Sequence, residues 1–322
     1  MKIGVFTVLF NNDSFEDMLD KVKAAGLDAV ELGTGGNPGS AHVDLDGLLQ
    51  NEDKRKQFQE ALDMRGLSVS AFSCHSNPIA PDKAYAKESD EVFRRTVQLA
   101  EMLNVPVVNN FSGVAGADDN ATLPNWPVAP WPQEYSDIYN WQWEKKLIPY
   151  WKEAGAYAKD HGIKVGIEPH GGFLVHTPYT VLKLRDATCD AVGANFDPSH
   201  MWWQGIDPVA AIKILGKQDA IHHFHAKDTH IDWDNVNMYG LTDMQPYQNV
   251  QERAWTFRSV GCGHSLQEWS DMISTLRKFG YDHTVSIEHE DPLMSISEGF
   301  QRAVDNLRSV NIVEKPSDMW WA

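Results

Sequence analysis

The sequence repeats one local pattern, in which a helical stretch ends at a glycine and a short apolar run follows. A glycine just past a helix end takes the left-handed conformation that closes the helix. The run after it is short and contains β-branched residues, as expected of a buried strand. Four segments follow this pattern: Gly26–Leu32, Gly66–Phe72, Gly162–Glu168 and Gly280–Glu288. Four further apolar runs also predict strands: Ile3–Val8, Val105–Asn110, Val192–Asp197 and Ile221–Ala226.

Helical patterns fit between these strands. In Glu88–Leu103, apolar residues recur at helical spacing and form one face. Ser265 and Ser295 each precede a glutamate at the spacing of a capping box, which predicts the starts of the last two helices. Asp13–Ser14 is a cap for the first helix. The other helices are predicted at Lys54–Arg65, Trp141–His161, Pro178–Asp186 and Pro208–Leu215.

The alternation of strands and helices predicts a parallel sheet with crossover helices. Eight such units in one chain match a single (β/α)8 TIM barrel, and we expect residues 1–322 to form one domain. A doubly wound sheet is the alternative. That fold more often carries a glycine fingerprint after its first strand, and residues 5–12 contain no glycine.

Two long segments interrupt the regular spacing, Ser112–Tyr139 after strand 4 and Thr229–Gly263 after strand 7. In a barrel, both follow the C-terminal ends of strands, where active sites lie. Their aromatic residues predict a lid and a surface on which a sugar stacks, and decoration or an oligomer contact is the alternative. We expect at least one of four tryptophans to contact the pocket: Trp126, Trp131, Trp203 or Trp255.

Composition excludes several classes of partner. The chain has 28 Lys and Arg against 45 Asp and Glu, a net charge of −17, which repels nucleic-acid phosphates. No apolar stretch approaches the ~20 residues of a membrane span. The three cysteines lack CxxC spacing, which favours a reducing compartment, and we expect a cytoplasmic protein.

The strongest chemical signal is the residues that end the later strands. The fifth to eighth predicted strands end in charged or imidazole side chains: Glu168 and His170, Asp197 and His200, His225 and Lys227, and Glu288 and Glu290. Burying lone charges is costly unless they are paired or bind a metal. We therefore predict one divalent ion held by Glu168, Asp197, His225 and Glu288, with capping or salt-bridging roles as the alternative. Three carboxylates and one imidazole favour Mn²⁺, with Mg²⁺ or Co²⁺ next.

The strand ends IEPH, NFDPSH, HFHAKD and SIEHEDP resemble those of the xylose-isomerase-like TIM barrels, the sugar phosphate isomerase/epimerase superfamily. The resemblance covers nearly the whole chain and implies the same four metal ligands. In the epimerase branch, the glutamates matching Glu168 and Glu288 also form the acid/base pair, and the histidine matching His200 contacts substrate. Those epimerases carry an arginine where this chain has Ile231, so the resemblance does not single out epimerisation of a simple ketose at C3.

Other candidates surround this set. We predict substrate contacts from His170, His200, Lys227, Arg258 and Trp126, with salt bridging as the alternative role of Lys227 and Arg258. Glu290 is an additional carboxylate or a surface ion pair. Roles for three further histidines are left open: His42, His75 and His176. Cys74 adjoins His75 but lacks a third orienting group, so a thiol nucleophile is not expected.

The ligand set predicts a reaction class. A metal on a carbonyl and its adjacent hydroxyl acidifies the intervening C–H, and carboxylates move the proton. The leading prediction is a divalent-metal-dependent isomerase or epimerase of an unphosphorylated sugar or keto-sugar derivative. The second is a lyase or dehydratase of the same fold acting on an oxidised glycoside or keto-inositol. The negative charge of the chain argues against a DNA-repair endonuclease. The two glutamates at the metal argue against a non-catalytic sugar-binding protein. The sequence leaves open whether the chain forms a homo-oligomer.

Overall fold

The computed structural model describes all 322 residues, and its centre is a closed barrel of eight parallel strands. Their order around the barrel follows the chain, and the first strand pairs with both the second and the last. This closure confirms the TIM barrel and excludes a doubly wound sheet. The barrel strands are β1 (Lys2–Phe6), β2 (Ala29–Gly33), β3 (Ser68–Ser73), β4 (Val107–Phe111), β5 (Lys164–Glu168), β6 (Val192–Phe196), β7 (Ile221–Ala226) and β10 (Thr284–Ile287).

The helix-ending glycines behave as the pattern predicts. Gly26, Gly66, Gly162 and Gly280 have φ values of +68°, +65°, +72° and +88°. A side chain in this left-handed region is strained, so glycine is the residue that closes these helices at least cost. Each strand begins a few residues after its glycine, because the chain must first turn back towards the barrel.

Twelve α-helices surround the barrel and its connecting segments. They are α1 (Phe15–Ala24), α2 (Leu45–Gln50), α3 (Glu52–Asp63), α4 (Lys83–Leu103), α5 (Gln133–Trp141), α6 (Ile148–Asp160), α7 (Pro178–Ala187), α8 (Pro198–Trp202), α9 (Pro208–Gly216), α10 (Trp233–Tyr239), α11 (Leu266–Lys278) and α12 (Ile296–Val310). None of them combines the length and the apolar character that crossing a bilayer requires.

The helix caps follow the sequence closely. Ser14 caps α1, and Ser265 forms the predicted capping box with Glu268 at the start of α11. At α12 the box is half formed: the Ser295 side chain accepts the backbone N–H of Glu298, but Arg302 binds the Glu298 carboxylate instead. The i,i+4 position of Arg302 on the helix surface explains this competition.

The two long segments are not simple loops. The segment after β4 contains α5, which runs through a π-helical turn at Gln142–Leu147 into α6. The segment after β7 forms an antiparallel pair, β8 (Asp228–Ile231) and β9 (Trp255–Arg258), with α10 between them. Buried Asp228 fixes the end of this segment by accepting backbone N–H groups of Gly261, Gly263 and His264.

The apolar core lies mainly between the barrel and its helices, where the largest side chains include Trp143, Trp151 and Trp269. The upper part of the barrel interior is polar instead. Its buried side chains include Glu31, Asn109, Asn195, His223 and His225. Burying so many polar groups is costly unless they bond to one another, so the interior must be an ordered hydrogen-bonded network.

Candidate active site

The structure brings the four predicted metal ligands together at the C-terminal mouth of the barrel. One donor atom from each of Glu168, Asp197, His225 and Glu288 lies within 4.8 Å of all the others. Glu168 ends β5, Asp197 follows β6, His225 lies in β7, and Glu288 follows β10. Four neighbouring strands therefore deliver four donors to one point, as parallel strands in a barrel allow.

Local structure orients two of these donors. Alternation along β7 directs His223 and His225 into the barrel, while Phe224 packs in the apolar core. Asp197 caps α8, since its Oδ1 accepts the backbone N–H of Ser199 at 2.8 Å. This cap occupies one carboxylate oxygen of Asp197 and leaves Oδ2 facing the cluster.

Hydrogen-bond donors surround Glu168. Nε2 of His75 lies 2.9 Å from Glu168 Oε2, and Nε2 of His200 lies 3.2 Å from Oε1. Burial acts to raise the pKa of Glu168, but hydrogen bonds from His200 and His75 hold it well below its usual range. Glu168 is therefore a stable carboxylate at neutral pH.

A buried lysine lies among the other carboxylates. Nζ of Lys227 is 3.2 Å from Asp197 Oδ2, 3.0 Å from Glu288 Oε2 and 2.9 Å from Glu290 Oε2. Burial favours its neutral form, yet the charges of Glu288 and Glu290 raise the pKa of Lys227 well above its usual value. The neighbouring Asp228 takes no part in this group, since its Oδ1 binds Nδ1 of His264 at 2.9 Å.

The donor set suits a divalent cation. Buried Asp197 Oδ2 and Glu288 Oε2 accept no hydrogen bond of good geometry. Burial raises the pKa of Asp197 to about 7. The nearby charges of Glu288 and Glu168 add to this rise, and the charge of Lys227 opposes it. The cluster thus combines three carboxylates, those of Glu168, Asp197 and Glu288, with the single ammonium group of Lys227, and it keeps an excess of negative charge. Oxygen-rich sites of this kind bind Mg²⁺, Mn²⁺ and similar ions.

A cavity of about 270 Å³ opens above this cluster. Of the predicted residues, Glu168, His170, Lys227, Glu288 and Glu290 line it. The other lining residues are Phe6, Val8, Asn11, Asn37, Pro38, His75 and Phe111. The cavity therefore joins a charged floor to walls of apolar and amide side chains, which is the usual composition of a small-molecule site.

None of the four tryptophans named above lines this cavity. Trp203 and Trp255 stack on each other with ring centroids 4.8 Å apart, and a side chain at Gly171 would collide with Trp203. Trp126 packs edge-on against His176, and Trp131 is 82% exposed. The phenylalanine rings in the lining belong to Phe6 and Phe111, which end β1 and β4.

Arg258 and His200 also lie outside the lining. The Nε of Arg258 binds Asp291 Oδ2 at 3.0 Å, the salt-bridging alternative for this residue. His200 lies behind Glu168, and its Nδ1 accepts a hydrogen bond from Trp203 Nε1 at 3.3 Å. Burial and the neighbouring His170 lower the pKa of His200 to about 3, so the ring is neutral and Nε2 carries its single hydrogen towards Glu168 and Asp197.

Sequence reasoning missed two buried residues of the site. Glu31 in β2 contacts His225, and Asn195 in β6 lies beside both His223 and His225. The signal for Glu31 was a carboxylate inside an otherwise apolar strand, Ala29–Gly33. Of the three histidines left open, His75 lines the cavity. Cys74 is buried, and burial raises the pKa of its thiol to about 12, which agrees with the expectation that it is not a nucleophile.

Comparison with known proteins gives concordant results. A model of the xylose isomerase-like TIM barrel family matches residues 19–310. Uncharacterized protein YfiH from Bacillus subtilis (strain 168) is 37% identical over 311 residues, which cover 96% of this chain and 98% of that protein. The probable 3-DHS dehydratase AsbF of Bacillus anthracis has a TM-score of 0.67 at 18% identity, covering 96% and 99% of the two chains. A D-psicose 3-epimerase has a TM-score of 0.62 at 17% identity, covering 96% and 98%.

Proposed function

The chain belongs to the xylose isomerase-like TIM barrel family, and on that premise we propose that it is a divalent-metal-dependent isomerase or epimerase of a sugar or keto-sugar derivative. The observation that carries this proposal is the convergence of Glu168, Asp197, His225 and Glu288 on one point beneath a cavity. These four residues would hold the ion. When bound, it supplies Lewis acidity to a carbonyl and the hydroxyl beside it.

The proton would be moved by the two glutamates. Glu168 and Glu288 both line the cavity. Their strands, β5 and β10, lie on either side of β6 and β7, the strands that supply Asp197 and His225. Burial raises but Lys227 and His225 lower the pKa of Glu288 to about 2, so it is ionised and able to accept a proton. A second carboxylate on the substrate's other side returns the proton, which gives epimerisation or isomerisation.

An uncharged substrate fits the lining best. Lys227 is the only lysine or arginine that lines the cavity, and three carboxylates already bind it. A phosphate or carboxylate on the substrate would therefore meet net negative charge. Asn11 and Asn37 offer amide donors and acceptors that suit sugar hydroxyl groups. These features support an unphosphorylated polyol.

Solvent exchange tests the reaction class. We expect incubation of the Mn²⁺-loaded protein with a panel of unphosphorylated aldoses, ketoses and keto-glycosides in D₂O to place deuterium on a carbon beside a carbonyl. NMR and mass spectrometry of the recovered sugars measure it, and metal-free protein is the control. If an accepted substrate turns over without ever gaining deuterium, proton transfer through exchangeable carboxylates is wrong, and a shielded transfer or hydride shift replaces it.

Lyase chemistry is a second candidate because of Lys227. Its ammonium group lies within 3.0 Å of both Glu288 and Glu290 at the cavity floor. An ammonium beside the base can donate a proton to a leaving oxygen after the C–H bond breaks. The same panel separates the two reactions, since elimination releases water or an alcohol and leaves an unsaturated product that absorbs in the ultraviolet.

Metal binding should strengthen with pH. Asp197, with its pKa raised to about 7, carries a proton in part of the molecules below that pH, and a ligand must lose its proton to bind. Burial lowers but the charges of Glu31 and Glu288 raise the pKa of His225 well above its usual value, so this ligand also gives up a hydrogen when the ion binds. Mn²⁺ affinity should therefore rise with pH by about tenfold per unit for each proton released, and the contribution of Asp197 levels off above about pH 7. Calorimetric titration between about pH 6 and pH 8 in buffers of different ionisation enthalpy counts the protons. A flat profile would contradict this assignment of Asp197.

A further inference from the structure

A buried carboxylate that no motif pointed to lies directly below the proposed metal centre. Glu31 in β2 has no exposed surface. Its two oxygens lie 2.9 Å and 3.0 Å from Nε2 of His225. The other ring nitrogen, Nδ1, lies 2.9 Å from Glu288 Oε2 and 3.4 Å from Glu168 Oε2. His225 therefore stands between an isolated carboxylate on one side and the ligand cluster on the other.

The remaining contacts of Glu31 hold it in this position. Ser73 in β3 and Asn109 in β4 donate to Oε1 at 2.5 Å and 3.0 Å, and Ser286 in β10 donates to Oε2 at 2.7 Å. Together with His225 in β7, donors from four other strands bind one carboxylate. Such an array keeps Glu31 ionised, because hydrogen bonds to the charged form favour it.

A carboxylate accepts hydrogen bonds only, and both ring nitrogens of His225 face carboxylates. An ion held by the four-residue cluster needs the lone pair of Nδ1, so the one hydrogen that the ring then keeps lies on Nε2, facing Glu31. The lone pair of Nδ1 then points at Glu288 and Glu168. We propose that Glu31 is a positioning residue that fixes the tautomer and orientation of His225 and so makes Nδ1 its metal-binding nitrogen. This inference rests on the proposed function, since it presumes that the four-residue cluster holds an ion.

The same geometry argues against a second ion at Glu31. Glu31, His223 and His225 also offer donor atoms within 4.8 Å of one another. However, hydrogen bonds from Ser73, Asn109, Ser286 and His225 already fill the acceptor positions of Glu31. Nδ1 of His223 contacts the side chain of Asn195 at 3.0 Å. Saturated groups of this kind support a ligand and do not act as one.

The test measures metal binding and the histidine tautomer in Glu31→Gln. The glutamine side chain keeps the shape but loses the charge, and loss of such a supporting carboxylate commonly weakens metal affinity by about 10–100-fold. Glu31→Asp keeps the charge at a shorter reach and should fall between wild type and Glu31→Gln. The matched control is Glu101→Gln, which breaks a surface carboxylate–imidazole contact with His161 and should leave Mn²⁺ affinity unchanged.

Calorimetry with Mn²⁺ gives affinity and stoichiometry for the full chain, and denaturant unfolding of the metal-free variants separates binding from folding. ¹⁵N NMR of histidine-labelled protein loaded with diamagnetic Mg²⁺ or Zn²⁺ should show hydrogen on Nε2 of His225 in wild type and a mixed tautomer in Glu31→Gln. Should Glu31→Gln fold but bind Mn²⁺ as wild type does, with the same tautomer, the positioning role is refuted and the proposed function stands. A second bound equivalent that this variant loses would make Glu31 a ligand. Wild type that binds no divalent ion would overturn the proposed function, and this inference with it.

Discussion

Glu288→Gln should lower turnover by about 10²–10⁴-fold, the usual contribution of a positioned general base. Glutamine keeps the side chain's shape but cannot accept the substrate proton at neutral pH. The change also removes a negative charge that lies 2.9 Å from His225 and 3.0 Å from Lys227, so metal affinity falls as well. Turnover must therefore be measured by steady-state kinetics at saturating Mn²⁺, with metal content determined on the same sample.

The matched control for this variant is Glu290→Gln. Glu290 lines the same cavity and binds the same lysine at 2.9 Å, but it does not belong to the convergent group of four. It is also half exposed, so the same chemical change should cost little in metal content and far less in turnover than at Glu288. Equal losses of turnover in the two fully loaded variants would remove Glu288 from the role of base.

The fold was predictable because its signal is local and repeated. The glycines that close helices before β2, β3, β5 and β10 each require a left-handed backbone, and few other residues tolerate it. The helix α5 and the β8–β9 pair were not predicted, because they lie inside segments marked as loops by their length and polarity. Their order comes from buried tertiary contacts, such as the Gln142 amide that donates to Ala115 and Asn125 carbonyls.

The clustering of the candidate ligands was predictable because their chemistry is concentrated at strand ends. Glu168, Asp197, His225 and Glu288 stand out because charged groups rarely end apolar strands without a reason. The lining residues Phe6 and Phe111 gave no such signal, since a phenylalanine at a strand end looks like any core residue. Glu31 acts through a partner in β7, and contacts across a barrel between distant parts of the chain cannot be deduced from spacing alone.

Truncation of His225 and truncation of His200 should lower metal affinity by clearly different amounts. In His225→Ala, Nδ1 is lost from the group of four donors, and Glu31 loses its imidazole partner. Mn²⁺ affinity should then fall by well over the ~10–100-fold typical of a supporting contact. In His200→Ala, a neutral ring that donates towards Glu168 and Asp197 is removed, so the loss should stay within that ~10–100-fold range, and the protein should still load fully at saturating Mn²⁺.

Metal analysis by mass spectrometry and calorimetric titration of both variants measure this difference, with denaturant unfolding of the metal-free proteins as the control for folding. Turnover separates the roles further. Fully loaded His200→Ala should still lose activity, because Glu168 no longer has the donor that holds its Oε1 in place. If His200→Ala loses its ion while His225→Ala keeps it, the two assignments are reversed. In that case Nε2 of His200, 3.3 Å from Asp197 Oδ2, is the metal-binding nitrogen. The hydrogen of the His200 ring would then lie on Nδ1, and Nδ1 could not accept the hydrogen bond from Trp203 Nε1.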